Sequence, residues 1–231
     1  MPAQIAQNLQ QIRQRIADAA ARCGRRAEEI TLVGVTKYVA ADAARALVAT
    51  GCADLGESRP QQLWERADLL ADLPVRWHFI GHLQRNKVRR TLPLTHLIHS
   101  VDSPRLAAAI EEEANLLGRR VPVLLEVNVS GEAAKHGLPP GDVEPLLTVL
   151  AGCRGLEVHG LMCMAALEGG PSVAQRDFAA VRALRDRLRA NCPEAIGLAE
   201  LSMGMSSDFE AAIAEGATIV RIGSALFEGT G

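Results

Sequence analysis

Lysine is scarce in this chain, and where it survives is the first chemical signal. Of 25 basic residues only three are lysine, Lys37, Lys87 and Lys135; the others are arginine. A bias toward Arg, in keeping with the Ala richness of a GC-rich genome, explains the scarcity but not the three positions. Lys37 closes the apolar run Leu32-Val33-Gly34-Val35-Thr36-Lys37. Parallel α/β folds bind ligands at the C-terminal ends of their strands, and an amine in a partly desolvated pocket can form a Schiff base with a carbonyl. The plain alternative is a strand-end lysine reaching out to solvent. Lys87 and Lys135 read as solvated loop charges.

A second signal lies near the C-terminus. Ser202-Met203-Gly204-Met205-Ser206-Ser207-Asp208-Phe209-Glu210 follows an apolar run. Ser207 and Glu210 have capping-box spacing, which predicts a helix beginning there. A helix N-terminus preceded by Gly and two Ser suits an anion. Arg221-Ile222-Gly223-Ser224 adds another Gly-Ser pair after the last apolar run. Two ordinary capped turns are the alternative. Arg221 falls on the opposite strand face from Val220 and Ile222, and once buried it needs a carboxylate or a ligand atom as partner. The histidines show no zinc-type spacing, and no Walker loop or GxSxG elbow is present.

These residues need a scaffold, and the apolar spacing suggests one. Ile5, Leu9, Ile12 and Ile16 mark an N-terminal amphipathic helix ending near Cys23-Gly24. Strands are expected at Ile30–Val35, Ala53–Gly56, Arg76–Gly81, His96–Val101, Val123–Val129, Leu156–Met164, Leu198–Met203 and Thr218–Ile222, with helical segments between most of them. Ala41–Ala49 is one such segment, and Ser103-Pro104 opens another that exits at Leu117-Gly118. Eight alternating units in 231 residues imply a single (β/α)8 barrel domain spanning residues 1–231. An open doubly wound sheet is the runner-up, but no GxGxxG turn follows the first strand. Only Ser224–Gly231 follow the eighth strand, too few for a closing helix, and the N-terminal helix is expected to cover that gap.

Composition narrows the class. A net charge of −2 and seven aromatics argue against a nucleic-acid partner. No apolar run spans a bilayer. The five cysteines, Cys23, Cys52, Cys153, Cys163 and Cys192, form no CxxC pair, and the N-terminus is polar, so a reducing, cytoplasmic location with free thiols is expected.

From end to end the chain resembles the pyridoxal 5′-phosphate homeostasis proteins, the YggS/PROSC family. The most specific block is Trp77-His78-Phe79-Ile80-Gly81-His82-Leu83-Gln84-Arg85-Asn86-Lys87. Val35-Thr36-Lys37 is similar to the family's cofactor-lysine strand. Gly56-Glu57, His99-Ser100-Val101-Asp102-Ser103, Lys135-His136-Gly137-Leu138, Leu201-Ser202-Met203-Gly204-Met205-Ser206 and Val220-Arg221-Ile222-Gly223 match in order. The resemblance implies a TIM barrel similar to the N-terminal domain of alanine racemase, with pyridoxal 5′-phosphate (PLP) held as a Schiff base on Lys37. It implies that Ser206, Ser207, Gly223 and Ser224 hold the phosphate, that Arg221 faces the pyridine nitrogen, and that Ser202, Met203 and Met162 line the site. Two positions depart from the family pattern: Ser58 stands where Asn often follows Gly-Glu, and Glu228 follows Phe227 where Gly is common.

The expected function is a PLP carrier: it holds the cofactor reversibly, buffers it and supplies it to PLP-dependent apo-enzymes, as a monomer and without efficient catalysis. One alternative is a PLP-dependent racemase or lyase; another is an aldolase whose Lys37 attacks a sugar-phosphate carbonyl. Against the racemase, an arginine facing the pyridine nitrogen keeps that nitrogen unprotonated and the ring a weak electron sink. A two-base racemase also needs a base across from the lysine. The one tyrosine, Tyr38, adjoins Lys37, and strand alternation is expected to turn it away from the pocket. Cys163 or a loop histidine is left as a base.

Overall fold

The computed structural model of the chain describes residues 1–132, 135–166, 168–191 and 196–230; Ala133, Ala134, Cys192 and Gly231 lie outside the described residues. Helix α1 (Pro2–Arg22) buries Ile5, Leu9, Ile12 and Ile16 in one stripe, as helical spacing requires. Then follow β1 (Thr31–Val35), α2 (Ala41–Ala49), β2 (Asp54–Glu57), α3 (Pro60–Leu69), β3 (Arg76–Phe79), α4 (Val88–Thr91), β4 (Thr95–Val101), α5 (Pro104–Leu116) and β5 (Val121–Glu126). The second half contributes α6 (Val143–Leu150), β6 (Leu156–Met162), α7 (Gly170–Asn191), β7 (Glu200–Ser202), α8 (Phe209–Ala214) and β8 (Ile219–Ile222). The eight strands pair in parallel, each with its sequence neighbours, and β8 closes on β1. This is the expected (β/α)8 barrel.

Alternation along each strand decides what meets what. Val33, Leu97, Leu124, Met162 and Ile219, from five strands, form a small apolar cluster of their own inside the barrel. Their neighbours along the strands, such as Leu55, Leu125, Leu161 and Val220, join the larger core between sheet and helices. The two-layer arrangement is that of a filled barrel, not a pore.

Three local expectations are corrected. Strand β7 begins at Glu200 because Leu198 has a φ of 36°, outside any strand conformation. Strands β3, β5 and β6 stop two or three residues early, where the chain turns into the loops of the barrel mouth. The capping box from Ser207 to Glu210 does not form. Helix α8 starts at Phe209, Asp208 accepts the Met205 N–H at 2.6 Å, and Glu210 pairs with Arg15 of α1 at 2.6 Å. Elsewhere the caps form as expected: the Ser103 hydroxyl accepts the Leu106 N–H at 3.3 Å and opens α5.

Among the described residues a short helical turn, Ser224–Leu226, and no full helix follows β8. Helix α1 packs against α2, α8 and that turn, filling the place of the eighth helix. The Asn8 side chain fastens it, donating to the carbonyls of Leu226 at 3.1 Å and Glu228 at 2.9 Å.

Candidate functional site

Alternation carries Val33 and Val35 into the barrel and, one step further, Lys37 into its mouth. Thr36, between them, points outward. Its hydroxyl donates to Glu57 Oε1 at 2.6 Å. Arg66 of α3 donates to the carbonyls of Thr36 (3.4 Å) and Val39, and its Nε lies 3.9 Å from Glu57. Burial pushes the Glu57 carboxyl up, while Thr36, Arg66 and Lys37 pull against it. This buried pair clamps the turn from Thr36 to Val39 from behind, and so fixes where the Lys37 stem leaves the strand.

Lys37 opens onto a cavity of about 760 Å³ at the C-terminal end of the barrel, within the usual range for small-molecule sites. Ser206 and Ser207 line it from the loop after β7, and Gly223 and Ser224 from the loop after β8. Arg221 lines it from β8, and Ile80, Met164 and Phe227 are among its apolar walls. The Gly223 N–H donates to the Ser206 hydroxyl at 3.2 Å, tying the two Gly/Ser loops together. Gly204 makes that possible: its φ is +92°, and a Cβ there would sit 2.6 Å from the Ala212 side chain. On the facing wall Gly81 passes so close to Ser58 that a Cβ would stand 2.0 Å from the Ser58 carbonyl oxygen.

Arg221 is 4% exposed. Its Nη1 donates to Ser202, to the carbonyl at 2.7 Å and the hydroxyl at 2.6 Å, and its Nη2 to the Cys163 carbonyl at 2.9 Å. Burial lowers its pKa, against the pull of Cys163, Glu126 and Asp208. Among the described residues no carboxylate is in hydrogen-bond contact with it; backbone and hydroxyl oxygens take that place.

Six of the nine expected site residues therefore meet at one cavity: Lys37, Ser206, Ser207, Arg221, Gly223 and Ser224. Ser202 lies behind Arg221, and Met162 sits deeper, in the inner apolar cluster. Met203 takes the outward position of its strand end and packs in the core between sheet and helices. Tyr38 corrects the sequence reading. It is 80% exposed and lines the cavity rim, with its ring 4.8 Å from the Lys37 amine. Beyond the last strand residue the chain turns, and strict alternation no longer applies. Cys163 is fully buried, and burial pushes its thiol up to about 12, which removes it as a base.

Ser58, Ile80, Gly81 and Met164, none of them a candidate from sequence, also line the cavity. The strand-end rule applied to β2, β3 and β6 would have found them. Lys135 holds a structural post: its amine donates to Glu132 at 2.7 Å, Ser130 at 3.3 Å and the Ala165 carbonyl at 2.9 Å, joining the loops after β5 and β6. Three loops also bring His82, Asp102 and His136 together; His82 Nδ1 is 2.9 Å from Asp102. The two imidazoles stack 4.2 Å apart with only 14° between their planes. Their lone pairs thus lie in nearly parallel planes, and one ion cannot meet both in plane without a ring turning. A larger, more open cleft of about 920 Å³ lies by the loops after β5 and β6, but Glu132, Glu168 and Asp177 there outnumber Arg176, a poor setting for a phosphate.

The chain is similar to known proteins over nearly its whole length. Residues 3–230 match the family described as alanine racemase, N-terminal domain. A protein of Pseudomonas aeruginosa named pyridoxal phosphate homeostasis protein is 40% identical over 223 residues, covering 96% of this chain and 94% of the relative. PipY of Synechococcus elongatus, solved with PLP bound, superposes with a TM-score of 0.86 at 35% identity, covering 96% of this chain and 99% of PipY. Alanine racemase of Corynebacterium glutamicum shares the fold, with a TM-score of 0.69 at 18% identity; this chain covers 60% of it.

Proposed function

The chain belongs to the pyridoxal phosphate homeostasis proteins, a family built on the alanine racemase N-terminal domain, and on that premise we propose that it binds PLP through Lys37 and buffers or supplies it inside the cell. The observation that carries this reading is the convergence of a lysine amine, two linked Gly/Ser loops and a buried arginine on one cavity. PLP brings three chemical features: an aldehyde that condenses with an amine, a dianionic phosphate and a pyridine nitrogen. The cavity has a counterpart for each.

Lys37 supplies the amine. Ser206, Ser207, Gly223 and Ser224 would hold the phosphate through hydroxyls and backbone N–H groups, since the first N–H groups of a helical turn lack acceptors within it. Arg221 would face the pyridine nitrogen. A guanidinium stays protonated and only donates, so a pyridine nitrogen facing it would be kept unprotonated. That would make the ring a weaker electron sink for carbanion chemistry. Met162 and Ser202 would support the site from below.

The same cavity supports a carrier without efficient turnover. Tyr38 lies against the Lys37 amine, and Cys163 is a buried thiol. The set of Lys37, Arg221 and the two Gly/Ser loops on one cavity fits retention of the cofactor. We read residues 1–231 as one domain, a monomer, acting in the cytoplasm and passing PLP to apo-enzymes; no helix among the described residues is long and apolar enough to cross a membrane.

Titration of the purified protein with PLP tests the reading. The expected result is a saturable visible absorption band that is absent in Lys37→Ala. A wild-type protein that develops no such band, or a Lys37→Ala protein that develops it fully, contradicts the assignment. Release of α-deuterium from amino acids at enzyme-like rates would overturn the carrier reading while leaving PLP binding in place.

A further inference from the structure

Beneath Arg221 a line of polar side chains crosses the barrel. Ser202 Oγ, which accepts from Arg221 at 2.6 Å, is 2.8 Å from His99 Nδ1. His99 Nε2 is 2.9 Å from His78 Nδ1, and His78 Nε2 is 3.0 Å from Asp54 Oδ1. All five residues are buried. They come from β8, β7, β4, β3 and β2, each on an inward-facing position. Asp54 stands at the N-terminal start of β2, where it also accepts from Arg76 Nε at 2.7 Å. The line therefore runs from the floor of the cavity to the opposite end of the barrel.

The two ends set its direction. A guanidinium only donates, and a carboxylate only accepts. Ser202 accepts from Arg221, and its own proton has His99 Nδ1 as the acceptor. His99 then carries its proton on Nε2 and donates to His78 Nδ1. His78 likewise carries its proton on Nε2 and donates to Asp54. The reverse sense leaves the Ser202 hydroxyl proton without an acceptor among the described residues and puts a second cation inside the barrel, at a cost that buried charges rarely recover. Burial, reinforced by His78, Arg221 and His96, holds the His99 imidazole well below its usual range. Around the line stand Arg76 at the base, His96 beside His78, and Cys163, Glu126 and Asp208 around Arg221.

We infer that Ser202, His99, His78 and Asp54 are positioning residues for Arg221: a one-way hydrogen-bond chain with both imidazoles neutral, holding the guanidinium beneath the cavity and linking it to the Asp54–Arg76 pair at the far end of the barrel. This rests on the reading that PLP sits over Arg221. The chain gives a role to His78 and His99, whose sequence blocks had none.

Long-range proton–nitrogen spectra of the protein labelled with nitrogen-15 histidine, recorded near neutral pH without PLP, test the chain directly. His78 and His99 are expected as neutral Nε2–H tautomers; a doubly protonated ring or an Nδ1–H tautomer at either position overturns the inference. PLP dissociation constants of two variants test what the chain does. In His99→Gln the amide oxygen can accept from Ser202 and the amide N–H can donate to His78, so affinity should stay near wild type. His99→Leu breaks the line and should weaken PLP roughly ten-fold, the worth of one hydrogen bond to a charged group. A folded His99→Leu protein with wild-type affinity and absorption overturns the positioning role. If His99→Leu does not fold, the wild-type spectra decide. If even the wild type binds no PLP, the cofactor reading fails, and the tautomers still judge the chain on their own.

Discussion

Glu126 ends β5 with its side chain inside the barrel mouth, and burial, then the charge of Asp102, pushes its carboxyl up to about 7. A folded-state pKa above the unfolded value means that the native state holds this proton more tightly. The stability it confers is complete below the ordinary carboxylate range and is lost as pH rises through about 7. Glu126→Gln should therefore raise the melting temperature at alkaline pH and leave it nearly unchanged at acid pH, as a pair of thermal melts would show. His99 runs the other way. Its folded pKa lies below the unfolded value, so stability is present above the unfolded pKa and falls as pH drops beneath it, by up to about 1.4 kcal/mol per pH unit. His99→Gln should flatten that acid limb in denaturant titrations at stepped pH. For the phosphate, Ser207→Ala should cost PLP about ten-fold in affinity while sparing pyridoxal, which lacks the phosphate; equal losses for both would place Ser207 elsewhere. Lys37, Arg221 and the Gly/Ser loops were legible in the sequence because each is a local pattern at a strand end. The Asp54-to-Ser202 line was not. Its members are separated by up to 103 residues at one step, and only barrel register brings them together.

Elements were easier to read than their ends. Eight apolar runs separated by helical spacing sufficed for the barrel, because strands covered on both sides are apolar almost throughout. What escaped the sequence was competition among neighbours. Ser207 and Glu210 have the spacing of a capping box, but Arg15 on α1, distant in sequence, takes Glu210. Alternation alone turns Tyr38 away from the cavity, but the chain turns at Lys37-Tyr38. Close approach of elements gives the sharpest test at this scale. Gly81, after β3, crosses the Ser58 backbone with no room for a methyl group. Gly81→Ala should destabilise the protein by about 1–3 kcal/mol and distort the cavity wall, read as a lower melting temperature together with weaker PLP binding. If both stay at wild-type values, the wall is looser than described.

At the scale of the molecule, α1 packs where the eighth helix of a barrel lies, and Asn8 ties it to the turn that carries Ser224 and Leu226. The barrel mouth and the N-terminal helix are thus linked through the last residues. Everything functional in this account depends on where one amine stands. Borohydride reduction of the PLP-loaded protein, followed by proteolysis and mass spectrometry, identifies the modified lysine directly. The expected result is a single reduced pyridoxyl adduct on Lys37, with Lys87 and Lys135 unmodified at stoichiometric PLP. An adduct on either of those two lysines in place of Lys37, or no adduct at all, would contradict it.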